Sequence, residues 1–183
     1  MKPFKTGFMV GRFQHIHLGH EKLINIGISL CDIFVVFVSS SDKLEEIRNP
    51  YNIDYRISLI KKIYSKEIEE KKLIIFSLCD LTCEEDLTPL WGRYVIDEFK
   101  KNTNLIPECI IYGKDKNIDK CFSKKTVENI TEVFVDRKSL EISATQMREY
   151  LLNDDIDNWK KYSNSKIHDE YNNLRNKLLL YKL

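Results

Sequence analysis

Short apolar runs rich in β-branched and aromatic residues recur at Phe8 to Val10, Ile33 to Val38, Leu73 to Phe76, Cys109 to Tyr112 and Val133 to Val135. Each is bounded by polar residues or glycine, and runs of this length and make-up read as buried strands. Between them the apolar spacing changes to that of a helix. Leu23, Ile26 and Leu30 share one face within Leu18 to Leu30, and Ile57, Ile60 and Tyr64 do the same within Ile53 to Tyr64. Trp91, Val95 and Phe99 repeat at four-residue spacing. Near the end, Ile167, Tyr171, Leu174 and Leu178 predict an amphipathic helix, placed to cap either the core or a second subunit.

Strand and helix thus alternate. Each helix must lay its apolar stripe on a sheet face before the chain returns to the sheet, which favours parallel strands joined by right-handed crossovers. The expected architecture is an α/β, Rossmann-like, doubly wound parallel sheet of about five strands with C-terminal helices. At 183 residues the chain fits one domain. The only seam falls near Asn153 to Asp157, dividing an α/β domain of residues 1–152 from a C-terminal helical extension of the same domain, residues 153–183.

Charge narrows the class of ligand. The 29 basic and 28 acidic side chains nearly cancel, which removes the broad electrostatic argument for nucleic acid or an anionic membrane as partner. A phosphate ligand must therefore be held by a local site. Cys31, Cys79, Cys83, Cys109 and Cys121 are odd in number and include no CxxC pair, so reduced thiols, mostly filling core, are expected rather than a disulfide framework or a zinc site. The N-terminal residues lack the long apolar run of a leader, and no stretch approaches eighteen apolar residues, so a cytoplasmic protein is expected.

In open sheets of this class, ligands sit beyond the carboxyl ends of the strands, which directs attention to two loops. Directly after the first strand stands Gly11-Arg12-Phe13-Gln14-His15-Ile16-His17-Leu18-Gly19-His20, leading into a helix whose first turn is expected to expose unpaired backbone amides. Gly11 lets backbone approach a phosphate, Arg12 offers a fork of donors, and His17 and His20 present imidazoles at the same helix start. Phosphoryl-type transfer asks for such fixed donors around a charged phosphorus centre. Metal ligation by the two histidines is the rival reading, but no carboxylate or cysteine in this loop completes a set.

The second loop is Ile142-Ser143-Ala144-Thr145-Gln146-Met147-Arg148, after the last strand. Ser143 and Gln146 have the spacing of a capping box, so taken alone an ordinary well-capped helix explains them as readily as phosphate binding does, whereas beside the first loop phosphate binding is the expectation. Between the two loops lie Ser39 to Ser41, then Arg48-Asn49-Pro50-Tyr51 and Arg56.

The first loop resembles the HxGH loop of the nucleotidyltransferase superfamily. Its GRFQ form is similar to nicotinamide-mononucleotide adenylyltransferases of the archaeal and bifunctional-regulator types, with His15 standing where that subgroup usually carries proline. The second resembles the superfamily's ISxTxxR motif, and Val135-Asp136-Arg137 a weaker VDxxR lead-in. The resemblance implies transfer of AMP from ATP to nicotinamide mononucleotide, giving NAD and pyrophosphate. It implies catalysis by Arg12, His17, His20 and Arg148. The ATP contacts would come from Gly11, Arg12, Phe13, His17, Gly19, His20, Ser143, Thr145 and Arg148, with Mg²⁺ carried by the ATP phosphates. On the acceptor side it implies Ser39, Asn49, Arg56 and Trp91, the indole either stacking on the nicotinamide ring or packing its helix on the sheet. A homo-oligomer is a further implication. The same adenylyl transfer to nicotinate mononucleotide or another small phosphorylated acceptor, and a non-catalytic nucleotide sensor, are the alternatives.

Overall fold

All five apolar runs are strands, and the helices that follow the first three return the chain to the sheet for parallel pairing. The computed structural model describes residues 1–44, 47–81, 88–113, 121–136 and 142–181. In it β1 (Phe4–Gly11), β2 (Cys31–Val38), β3 (Leu73–Ser77), β4 (Cys109–Gly113) and β5 (Thr131–Val135) form one sheet in the order β3-β2-β1-β4-β5. Every pairing is parallel. β1 begins at Phe4 rather than Phe8, because the polar start of the strand pairs with β2 from Phe4 opposite Cys31. From β1 the chain first winds one way through β2 and β3, then crosses back to β4 on the other side. That reversal opens a crevice at the carboxyl ends of β1 and β4, the place where such sheets bind ligands.

Helices cover both faces. α1 (Leu18–Leu30) follows β1, α2 (Ile53–Ile63) and the short α3 (Ser65–Glu69) follow β2, and α4 (Pro89–Thr103) precedes β4. α5 (Ala144–Leu152), α6 (Ile156–Lys161), a 3₁₀ segment (Ser165–Glu170) and α7 (Tyr171–Leu179) follow β5. Alternation along β2 separates two core layers. Phe34 and Val36 face Ile24, Leu59 and Ile60, whereas Val35 and Phe37 face Val95, Ile96 and Phe99. α1 approaches the sheet closely at Gly27, where an added Cβ would stand 2.3 Å from the Phe34 ring.

The C-terminal segment joins the first layer. Trp159, Ile167, Leu174 and Leu178 are fully buried among the same residues that α1 and α2 cover. Burying each such side chain contributes about 1.5–3 kcal/mol of hydrophobic stabilisation. The expected amphipathic helix is therefore buried against its own chain, and it is divided at Tyr171 into a 3₁₀ segment and α7. Cys31, Cys109 and Cys121 are buried free thiols and Cys79 is an exposed one; Cys83 lies outside the described residues. Among the described residues no helix is long and apolar enough to cross a membrane.

Candidate active site

The first loop is shaped by its own side chains. His17 has extended backbone (φ −148°, ψ 170°) and serves as the N-cap of α1, its Nδ1 accepting the Gly19 N–H at 3.1 Å. An N-cap normally uses a short oxygen-bearing side chain, and here an imidazole does that work. Gly19 is required by contact: an added Cβ would stand 2.9 Å from His17 Cε1 and Nδ1 and 3.4 Å from the Ile142 carbonyl of the second loop. The His17 and His20 rings lie 3.9 Å apart, and Phe13 backs His20 at 4.6 Å. One expectation is corrected. The first amides of α1 are not simply left open, since Leu18 N–H donates to the Tyr162 carbonyl and Gly19 N–H to His17.

Burial sets the charge state of these imidazoles. Desolvation lowers His20 to a pKa of about 3, with His15 adding a smaller repulsion. His17 is pushed well below its ordinary value, first by desolvation and then by His20 and His15. Both rings are neutral at pH 7. Since His17 Nδ1 accepts a hydrogen bond, its proton sits on Nε2, and His17 is a neutral donor through that atom. His20 Nδ1 is buried without a hydrogen-bond partner. An orphaned polar atom of this kind is rare in a folded chain and is the sort of group a ligand satisfies.

In the second loop Ser143 caps α5 through a full capping box with Gln146, as the spacing predicted. Arg148 reaches back to the first loop, its Nη1 donating to the Gln14 carbonyl at 3.1 Å and its Nη2 to Thr145 Oγ1 at 3.4 Å. The two motifs, more than a hundred residues apart in sequence, thus share a hydrogen bond. Asp136 directly follows β5 and is exposed, and Arg137 lies outside the described residues.

Both helix starts line a single cavity of about 740 Å³ at the carboxyl ends of β1 and β4, within the roughly 300–1,000 Å³ range of small-molecule sites. Gly11, Arg12, Phe13, His17, Gly19 and His20 line it from one side, and Ser143, Thr145 and Arg148 from the other. Arg48 also lines it. Its residue type gave no signal beyond a charge beside the Asn49-Pro50 turn, so only the folded position reveals it. No carboxylate is among the described residues lining the cavity. Burial lowers the Arg148 pKa, and Arg12 and Arg48 lower it further by repulsion. An anion between these guanidinium groups relieves that repulsion.

The acceptor-side expectations fare differently: Ser39, Asn49, Arg56 and Trp91 are not in the lining of this cavity. Arg56 is fully buried, donating from Nη1 to the Arg12 carbonyl at 2.7 Å and the Ser39 carbonyl at 2.8 Å, and from Nη2 to the Ser40 carbonyl at 2.9 Å. It braces the loops after β1 and β2. Desolvation lowers its pKa to about 10, with Arg12 adding to the effect and Asp80 opposing it, so it stays charged. Asn49 is fully buried and accepts from Gln14 Nε2 at 3.4 Å, while Gln14 also spans Tyr51 N and Tyr51 O. Trp91, on α4, packs edge-on against Phe122 at 5.7 Å in the second core layer.

A family model described as cytidylyltransferase-like matches residues 8–150, from β1 through both motifs. The chain belongs to the cytidylyltransferase-like family. Among individual relatives of this cytidylyltransferase-like chain is the nicotinamide-nucleotide adenylyltransferase of Thermococcus kodakarensis, 25% identical over 150 residues, covering 81% of this chain and 73% of the relative. That of Archaeoglobus fulgidus is 23% identical over 159 residues, covering 85% and 83%. Among solved structures, a bifunctional NMN adenylyltransferase/ADP ribose pyrophosphatase from Francisella tularensis, complexed with AMP and a manganese ion, superposes with a TM-score of 0.71 at 18% identity. The match covers 96% of this cytidylyltransferase-like chain but 52% of that protein, so the chain spans about half its length. The shared Rossmann-like α/β fold is the content of that likeness.

Proposed function

We propose that the protein transfers AMP from ATP to nicotinamide mononucleotide, giving NAD and pyrophosphate. The observation that carries this reading is one cavity into which two helix starts bring His17, His20, Arg12 and Arg148 with no carboxylate in the described lining. The names of the archaeal relatives point to the same reaction. The acceptor's phosphate oxygen attacks the α-phosphorus in line as the bond to the β-phosphate breaks, with no covalent enzyme intermediate. His17 and His20, held neutral, donate hydrogen bonds to oxygens of the reacting phosphate. Arg148 takes the charge gathering on the departing pyrophosphate, and Arg12 spans the α-phosphate. Ser143, whose hydroxyl is engaged in the cap, fixes the start of α5, and Thr145 beside Arg148 meets the triphosphate. Arg48, rather than the buried Asn49 or Arg56, contacts the acceptor phosphate.

A divalent ion enters with the substrate. Among the described residues no three His, Cys, Asp or Glu side chains are grouped as a resident metal requires. Mg²⁺ arriving with ATP would be held by phosphate oxygens and water, and it would neutralise the triphosphate.

The experiment is a matrix of ATP and CTP against nicotinamide mononucleotide, nicotinate mononucleotide and phosphopantetheine, read as pyrophosphate release and dinucleotide formation. ATP with nicotinamide mononucleotide is expected to give the highest kcat/KM. A higher value with the acid acceptor would reassign the substrate, and no turnover with any pair would end the enzymatic reading.

A further inference from the structure

The residue that departs from the family pattern, His15, lies at the centre of the loop and makes two directed contacts. Its ring is fully buried. Nδ1 stands 2.6 Å from the Ile16 carbonyl, and Nε2 stands 3.0 Å from the indole Nε1 of Trp159. An indole nitrogen only donates and a carbonyl only accepts, so the ring must carry its proton on Nδ1 and accept through Nε2. A protonated ring would turn a second N–H against the indole, and burial indeed lowers the pKa of His15 to about 4. The peptide linking Gln14 to His15 supplies the carbonyl that anchors Arg148.

Two further bonds tie the same stretches together. Leu18 N–H donates to the Tyr162 carbonyl at 2.9 Å, and Asn164 Nδ2 donates to Glu21 Oε2 at 2.7 Å. Residues 159–164 therefore grip the histidine loop at its entry, at the first residue of α1 and one turn into it. Trp159 is itself held among His168 at 5.7 Å and Tyr171 at 5.2 Å, both from the C-terminal segment. The loop rests on a wall built from the last part of the chain.

We propose that His15 is a positioning residue for nucleotidyl transfer: through Nε2 it couples the histidine loop to Trp159, and so fixes where His17, His20 and the Arg148 guanidinium stand. The C-terminal extension, none of whose described residues lines the cavity, acts on the reaction through this link. The inference rests on the activity proposed above. Loss of turnover in the unaltered protein would discredit that activity, whereas the behaviour of variants relative to it concerns His15 alone.

Two half-mimics separate the contacts of the ring. His15→Gln places an acceptor near the position of Nε2, and His15→Asn places a donor near Nδ1 without reaching the indole. Trp159→Phe keeps an aromatic ring and removes the N–H. Misplacing reacting groups by about 1 Å can cost on the order of 100-fold, and a fraction of that shift is expected here. Expected results are a fall in kcat of about tenfold in His15→Asn and in Trp159→Phe, KM for ATP within about twofold, and partial recovery in His15→Gln. The double variant His15→Asn/Trp159→Phe should fall no further than either single one, because both remove the same contact. Unchanged kcat with only a lowered Tm, or effects that multiply in the double variant, would overturn the proposal.

A second measurement reports on geometry without turnover. The chain has four histidines, so their imidazole nitrogens can be followed individually by NMR. In folded Trp159→Phe the signals of His17 and His20 should shift along with those of His15 and His168. Movement confined to His15 and His168 would show that the contact does not reach the reacting groups.

Discussion

Replacing Gly19 by alanine tests how far the placement of His17, rather than its presence, governs the reaction. The new methyl group would stand 2.9 Å from two atoms of the His17 ring and 3.4 Å from the Ile142 carbonyl. A carbon–carbon contact is relaxed at about 3.5–4.0 Å, so the ring must retreat by roughly 0.6–1 Å. Such overpacking costs about 1–3 kcal/mol of stability. The retreat also pulls Nδ1 from the Gly19 N–H it now meets at 3.1 Å, releasing the tautomer that leaves Nε2–H as the donor. A displacement of this size at a reacting centre costs on the order of 10²-fold, so kcat should fall by about 30- to 100-fold with the protein still folded at 25 °C. Gly27→Ala is the control within the same helix: its methyl group would meet the Phe34 ring at 2.3 Å, deep in the core and outside the cavity. That variant should lose more stability than Gly19→Ala while its folded fraction keeps near-normal kcat. The assay is NAD formation under saturating ATP and nicotinamide mononucleotide, paired with urea unfolding. Wild-type kcat in folded Gly19→Ala, or equal loss in both variants, would refute the claim that the helix start is set by this contact.

Other expectations follow from the same geometry. His20→Ala removes a donor and an orphaned Nδ1 together, so kcat should drop about 10²- to 10³-fold with little loss of Tm; near-normal turnover would remove His20 from the mechanism. Trp91→Ala should lower stability through its lost contact with Phe122 and leave KM for the acceptor unchanged, and a raised KM would place the indole on the acceptor after all. Stability should also fall in acid. His15, His17 and His20 are all lowered from 6.5 by burial, so below that pH the unfolded chain binds protons the folded one refuses. The contribution is complete above 6.5 and is lost on descent, by about 3 kcal/mol at pH 4 for His15 alone. Glu21, whose carboxyl is raised mainly by burial, opposes this only in part. Equal urea midpoints at pH 7.5 and 5 would contradict the buried, neutral state of the rings.

The strands and the first and second helices were legible because apolar periodicity is local, and the two phosphate-type motifs because their residue types are unusual at strand-to-helix turns. Ser143 and Gln146 show the same directness: a capping box needs only four consecutive residues. What stayed hidden depends on partners distant in sequence. Arg56 looks like an acceptor contact until the carbonyls of residues 12, 39 and 40 are seen around it. His15 reads as a departure from a pattern, and its partner is an indole 144 positions later. Arg48 becomes notable only when the cavity places it near Arg12 and Arg148. Trp91 admits two readings, because a four-residue repeat cannot say which face of a helix meets the sheet and which meets the crevice.

Arg56 holds the cleft's frame by main-chain oxygens alone. The brace is therefore indifferent to which side chains stand at positions 12, 39 and 40, provided the backbone keeps its course. Arg12 is the one of the three whose side chain lines the cavity, so a descendant of this sequence can change the charge it offers a ligand there without rebuilding the scaffold beneath.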